Sequence, residues 1–402
     1  MLLLLWVVWY RLLAFATLGF AAPVSVATVP APFTPITPAE FITMADQGQV
    51  VLTEEVKHDN KPVTVKITTN ELIVVPQTRR TTKAGYLSFD DVYGVQSGTN
   101  RRGQPMVEVY ALLHRGKKRV DRIVPMACQS TEQAQRIVTT IRAVLAGVEP
   151  GAELPRRHLL VLVNPFGGTR KAPKIYENTL VPMFTRAALS HDVVNTTHQG
   201  HAKELMQGLD LDKYDGVVCV SGDGLLNEAV NGLMSRDDGD RARQMPLGLV
   251  PAGSGNGLCK CIATNTPEEA AHNIIKGNTA PMDLVRIEQQ GAPANYSFLQ
   301  VSLGLLADVD IESERLLSWF MTPEAAKHVG APCVKYAKVK AVRFESAQNR
   351  GILNVDGEVI ETKETQLSAV PGAVKLMVPA GLQQPDWDIS RLPEGGMNVH
   401  NL

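Results

Sequence analysis

Gly216-Val217-Val218-Cys219-Val220-Ser221-Gly222-Asp223-Gly224-Leu225-Leu226-Asn227-Glu228 passes from an apolar run through a small-residue turn into an amphipathic helical pattern. A short apolar run closed by glycine reads as a buried strand. The turn after it brings backbone N–H groups and a helix N-terminus to one point, an arrangement that holds anions, phosphate above all. Glycine serves there because a Cβ would block close backbone approach. The same unit occurs twice more. Pro246-Leu247-Gly248-Leu249-Val250 leads into Pro251-Ala252-Gly253-Ser254-Gly255-Asn256, and Leu159-Leu160-Val161-Leu162-Val163 leads into Asn164-Pro165-Phe166-Gly167-Gly168. Three such turns, each at the carboxyl end of a strand, point to a nucleotide site. The chain has no GxxxxGK[ST], so this is not a P-loop. No GxGxxG opens the first unit, which disfavours a Rossmann dinucleotide site.

Around these turns strand and helix alternate. Strands are expected at Leu159–Val163, Asp192–Thr196, Val217–Val220 and Leu247–Val250, and helices at Lys174–Ala188, His201–Gly208, Leu225–Met234 and Gly255–Ile262. This order predicts an α/β lobe with a mostly parallel sheet and helices on both faces. Ligands then bind at the carboxyl ends of the strands, where the Gly turns lie. Asp223 has two readings. It caps the helix that follows it, or it orients or deprotonates an attacking hydroxyl among the phosphate-binding amides.

These residues resemble the lipid kinases of the diacylglycerol and sphingosine kinase superfamily, whose nucleotide-site motifs are matched in order and spacing. The resemblance implies an ATP- and Mg²⁺-dependent phosphotransferase. Asn164, Gly167, Gly168, Ser221, Gly222, Gly224, Gly253, Ser254, Gly255 and Asn256 would cradle ATP, and Asp223 would serve the lipid hydroxyl. Thr196 matches a family threonine that contacts the nucleotide; a Thr there also suits a helix cap. Ala307-Asp308-Val309-Asp310-Ile311-Glu312-Ser313-Glu314 is similar to sphingosine (long-chain base) kinases rather than diacylglycerol kinases. Asp310 and Glu314, four residues apart, would share a helix face and clasp the protonated amine of a sphingoid base. Such an acidic run also suits a solvated helix start. Ceramide kinases resemble the pattern but usually lack the Gly-Ser-Gly-Asn form of the third turn.

From Met282 onward the pattern turns to strands: Asp283–Glu288, Tyr296–Leu303, Val339–Phe344 and Gly351–Val355. The family's second lobe is a β-sandwich, and Asn354-Val355-Asp356-Gly357-Glu358-Val359 matches its late Asp-Gly-Glu motif. Glu358 there would assist ATP and hold Mg²⁺, which favours oxygen ligands together with phosphates. Asp-Gly by itself marks a hairpin turn. The resemblance breaks after Glu314. The basic residues that the family places next are not matched, Arg315 being the one basic neighbour. A stretch on the order of a hundred residues, judged from usual domain sizes, is missing from the second lobe, with part of the lipid pocket.

The remaining organisation follows from composition. Residues 1–22 are apolar and long enough to span a bilayer, although Arg11 near the middle is costly there. They read as a membrane anchor, an imperfect signal or an artefact of the start codon. Residues 23–49 read as a linker. Residues 50–147 alternate short strands and close on a helix from Glu132 to Leu145, which looks like a pleckstrin-homology-like module. Its stretch His114-Arg115-Gly116-Lys117-Lys118-Arg119 would meet anionic headgroups at a membrane surface, or is a solvated hairpin. The nucleotide lobe spans 155–280, the shortened β-sandwich 281–381 and a polar tail 382–402. The net charge of -1 gives no support for a nucleic-acid partner. Five cysteines without a CxxC fit core thiols in a reducing, cytoplasmic setting. Three functions therefore stand: a sphingoid-base kinase, a kinase for diacylglycerol or another neutral lipid, and a non-catalytic membrane-binding form.

Overall fold

The computed structural model describes residues 48–77, 84–116, 118–303, 339–344, 353–361 and 363–382. The chain divides into two compact units, and residues 178–190 group with the N-terminal one.

In the N-terminal unit, Val50–His58 (β1), Lys61–Thr68 (β2), Glu71–Pro76 (β3), Gly85–Ser88 (β4), Val92–Thr99 (β5), Pro105–Arg115 (β6) and Lys118–Ala127 (β7) form an antiparallel sheet in the order β4-β3-β2-β1-β7-β6-β5. Alternate residues such as Val63, Val65 and Ile67 are buried, as the period of two requires. The helix Thr131–Ala146 (α1) covers this face with Ala134, Ile137, Val138 and Ile141. Ser130 caps its start by accepting from the Gln133 N–H at 3.2 Å, and Gly147, at φ 69°, closes its end. Within the basic stretch, Arg119 pairs with Asp91 at 2.7 Å.

The expected helix over Lys174–Ala188 forms as a continuous helical run that begins at Ala172, ends at Arg186 and carries a π segment. Ala172–Ile175 (α2) passes into a π-turn over Tyr176–Leu180 and then into Val181–Arg186 (α3). Pro182 has no N–H to continue the ladder. Arg186 donates to Asp121 at 2.7 Å and to the Tyr93 hydroxyl at 2.8 Å, and its guanidinium lies 4.8 Å from the Tyr110 ring centroid. A Cβ on Gly94 would come within 2.5 Å of the Arg186 carbonyl oxygen, so glycine there admits the end of α3. Arg186→Ala is expected to lower the unfolding free energy of this unit by about 1–2 kcal/mol, read by denaturant titration. Lysine should recover less than half of that, because its ammonium has no planar guanidinium to lie over the Tyr110 ring.

The second unit is built on His158–Val163 (β8), Ser190–Asn195 (β9), Gly216–Ser221 (β10) and Pro246–Pro251 (β11), ordered β11-β10-β8-β9, with β8, β10 and β11 parallel. Leu159 to Val163, Gly216 to Ser221 and Leu247 to Pro251 are buried without alternation, so both faces are covered. His201–Gln207 (α4), Asp223–Met234 (α5), Gly239–Ala242 (α6), Gly257–Cys261 (α7) and Pro267–Lys276 (α8) supply the helices. Leu225, Leu226 and Ala229 of α5 pack on one face with Leu160, Cys219 and Leu249. Ile274 of α8 meets the other face at Gly248.

The described strands of the later segment divide between two sheets. Thr279–Gln289 (β12), Asn295–Ser297 (β13), Ala341–Phe344 (β15) and Thr365–Met377 (β18) extend the β8–β11 sheet, with β18 parallel to β11 and antiparallel to β12. Val301–Leu303 (β14), Leu353–Val355 (β16) and Glu358–Ile360 (β17) form a small antiparallel sheet. The fold is thus a mixed α/β sheet with a parallel core. Through β18 the later segment joins the nucleotide sheet directly. The 1–22 segment lies outside the described residues. Among those described, no helix is long and apolar enough to cross a membrane.

Candidate functional site

The three Gly turns converge at the carboxyl ends of β8, β10 and β11. In the first, the Asn164 side-chain oxygen accepts from the N–H groups of Phe166 (2.9 Å) and Gly167 (3.0 Å), which folds the loop back over the strand end. Thr169 then donates its hydroxyl to the Ala252 carbonyl at 3.0 Å, tying the first turn to the third. Ser221 is buried, and its carbonyl accepts from the Ala252 N–H at 3.0 Å, tying the second to the third. Asn256, at φ 51°, accepts from the Gly253 N–H and donates to the Gly253 carbonyl, both at 2.9 Å, which closes the third turn on itself.

Where these loops touch, side chains do not fit. A Cβ on Gly253 would sit 2.5 Å from the Gly222 Cα, and one on Gly168, at φ 45°, would sit 3.2 Å from the Gly253 Cα. A Cβ on Gly167 would come 2.9 Å from the Asn164 amide nitrogen. Gly224 and Gly255 differ, since a Cβ on either would meet nothing within 4 Å. Ser254 and Gly255 are exposed. The cradle is therefore narrow at Gly168, Gly222 and Gly253 and open beside them.

Asp223 is the first residue of α5, but Gly222 occupies the cap position of that helix. The Asp223 carboxylate instead accepts from the N–H groups of Gly257 (2.7 Å) and Leu258 (3.1 Å), at the start of α7. It caps a different helix from the one that follows it, and so locks the second turn to the third. Burial raises its pKa above the ordinary carboxylate value, while the two N–H donors and Lys260 hold it back. A carboxylate set among amides, with its proton affinity raised, suits a general base.

Thr196 is buried and bound to β8: its N–H donates to the Val163 carbonyl at 2.8 Å, and its hydroxyl lies 3.4 Å from the same oxygen. It does not cap α4, where Gly200 takes the cap position at φ 88°. Glu358 is exposed on β17 and accepts from the Gln199 side chain at 3.2 Å, which places it against the loop after β9. Asp310, Glu314 and Arg315 lie outside the described residues.

The sequence reading missed a second carboxylate. Asp356 and Gly357 form the β16–β17 turn with φ of 51° and 93°, the consecutive left-handed pair of a tight hairpin. One Asp356 oxygen accepts from the Ser297 hydroxyl (2.6 Å), Leu299 N–H (3.0 Å) and Gln300 N–H (2.8 Å); the other accepts from Asn227 Nδ2 (2.7 Å) and Phe298 N–H (3.0 Å). Asn231, buried one turn further along α5, donates to the Tyr296 carbonyl and accepts from the Tyr296 N–H, both at 2.9 Å. Asp223, Asn227 and Asn231 thus form a polar row four residues apart on one helix face. That spacing was the available signal.

Residues 158–287 match the diacylglycerol kinase catalytic domain. Sphingosine kinase 1 of Arabidopsis thaliana is 45% identical over 168 residues, which is 40% of this chain and 34% of that protein. Sphingosine kinase 2 of Homo sapiens is 40% identical over 205 residues, 46% of this chain and 31% of that protein. Human ceramide kinase is 32% identical over 244 residues, 56% of this chain and 44% of that protein. Residues 158–287 thus carry the likeness to this lipid-kinase domain, and the chain is similar to these sphingosine kinases over 40% to 46% of its length. It spans 31% to 44% of the length of these curated relatives.

Proposed function

We propose that this chain is an ATP-dependent lipid kinase that phosphorylates the primary hydroxyl of a sphingoid base. The observation that carries this reading is the convergence of three Gly turns on one point, with the Asp223 carboxylate locked between two of them. Gly168, Gly222 and Gly253 leave room at that point for phosphates to approach backbone N–H groups. ATP supplies the phosphoryl group. Asp223 takes up the hydroxyl proton, and the fixed loops align donor and acceptor, since such transfers rest mainly on positioning and charge. Asn164, Gly167, Ser221, Gly224, Ser254, Gly255 and Asn256 complete the nucleotide cradle, with Thr196 and Glu358 at its β9 side. Glu358 is also the proposed Mg²⁺ ligand; that ion commonly takes one carboxylate beside the phosphates. Among the described residues no cluster of three or more His, Cys, Asp or Glu side chains is arranged to hold a metal by itself.

Asp310 and Glu314 carry the recognition of the amine in this reading. The N-terminal sheet with its closing helix acts as the pleckstrin-homology-like module that brings the enzyme to a cytoplasmic membrane surface. His114, Arg115 and Lys118 would face the headgroups, while Arg119 is engaged by Asp91. Ceramide is the second substrate reading, favoured by the longer span over which the human ceramide kinase aligns.

The test is phosphate transfer from Mg·ATP by the full chain to sphingosine, dihydrosphingosine, ceramide and diacylglycerol. Labelling of the two free bases alone is expected, and Asp310→Asn should abolish the preference for them. Labelling of ceramide alone selects the second reading. ATP binding without transfer to any of the four would overturn both.

A further inference from the structure

The five-donor shell of Asp356 is more than a hairpin needs. Its oxygens are saturated by Asn227, Ser297, Phe298, Leu299 and Gln300, so it has no free lone pair for a substrate. What it does is bend the chain between β13 and β14. Three consecutive N–H groups, at 298, 299 and 300, all point at it, which holds a turn in the middle of the Tyr296–Leu303 stretch. Leu299 stands on that turn. A Cβ on Gly257 would lie 3.4 Å from Leu299 Cδ2 and 3.6 Å from Asp223 Oδ2, so Leu299 and Asp223 both border the space that the missing side chain leaves at Gly257. Gly257 is also the residue whose N–H binds Asp223 at 2.7 Å. A second route leads the same way, because Asn227, held by Asp356, lies one helical turn beyond Asp223 on α5.

We infer that Asp356 is a positioning residue of the kinase site: it fixes the 297–300 turn so that Leu299 covers Gly257 and keeps water from Asp223. This rests on the reading of Asp223 as the base. The cover accounts for the burial that raises the Asp223 proton affinity. The other groups set around that carboxylate are Lys260, which opposes the rise, and the buried thiol of Cys259, both on α7.

The test uses the full chain labelled with ¹³C-aspartate, the Asp223 carboxyl signal being assigned by its loss in Asp223→Asn. In Leu299→Ala and in Asp356→Asn the Asp223 titration should move to lower pH by about one unit, a tenfold fall in proton affinity. The acid limb of kcat/KM for sphingosine should move with it, and kcat should fall about tenfold, with KM for ATP unchanged. A loss of packing alone would leave the titration where it is. Should Asp356→Asn fail to fold, Leu299→Ala decides the matter. An Asp223 titration in Leu299→Ala identical to that of the wild type would overturn the inference. The titration needs no turnover. A wild-type chain that transfers no phosphate would end the kinase reading and leave the positioning result standing or falling separately.

Discussion

Asp223→Asn is expected to lower kcat for phosphate transfer by about 10²- to 10⁴-fold, the usual worth of a general base. Asparagine keeps the shape and one acceptor, so either the Gly257 or the Leu258 N–H stays bound and the α5–α7 lock survives in part. KM for ATP should therefore stay within a few-fold, which separates loss of the base from loss of the cradle. The pH dependence gives a second check. Burial raises the Asp223 pKa. The base works only when ionised, so wild-type kcat/KM should climb with pH through a value above that of an ordinary carboxylate. In the Asn variant that limb should vanish. Stability runs the other way. A carboxyl whose folded pKa is raised contributes stability that is fully present below its unfolded pKa and is lost as pH rises through the folded one. Asp223 would thus do least for the fold at the pH where the proposed base is ionised, a trade common at active sites. Full activity in Asp223→Asn would end its assignment as base.

The parallel core was legible because its signals are local. Each of β8, β10 and β11 is an apolar run closed by glycine, and every Gly turn fell at a strand end. The second half was harder to read because its causes are distant in sequence. Tyr296–Leu303 reads as one strand, yet it breaks into β13 and β14 since Phe298, Leu299 and Gln300 turn toward Asp356, 56 to 58 residues away. Asn227 reaches the same carboxylate across 129 residues. The strand β18, Thr365–Met377, went unread, and it contains Pro371-Gly372, a pair that normally interrupts a strand. In the structure Gly372, at φ 55°, donates its N–H to Asp283 at 2.8 Å, where the β12–β18 register shifts, so the pair becomes a bulge and the strand continues. For Asp223 the sequence offered capping or catalysis as alternatives. The structure shows capping of a helix 34 residues further on, which local preference could not reveal.

Gly253→Ala is expected to raise the Kd for ATP by tenfold or more, while Gly224→Ala and Gly255→Ala change it by no more than about twofold. All three glycines belong to the same pair of motifs, so composition alone predicts equal effects. Geometry separates them. At Gly253 the new Cβ would meet the Gly222 Cα at 2.5 Å and the Gly222 nitrogen at 3.0 Å, both backbone atoms that no rotamer change can move aside. The two loops cannot simply part, because Ala252 is hydrogen-bonded to Ser221 on one side and to Thr169 on the other. Overpacking of this kind costs about 1–3 kcal/mol, and the displaced groups are the N–H donors of the proposed phosphate cradle. At Gly224 and Gly255 a Cβ meets nothing within 4 Å, and neither backbone is left-handed. Gly168 should fall with Gly253, since φ of 45° adds strain to a 3.2 Å approach. Titration calorimetry with ATP on the four variants checks the order. Equal losses at all four would mean that the turns bind through flexibility rather than through the narrow contact of Gly222 with Gly253.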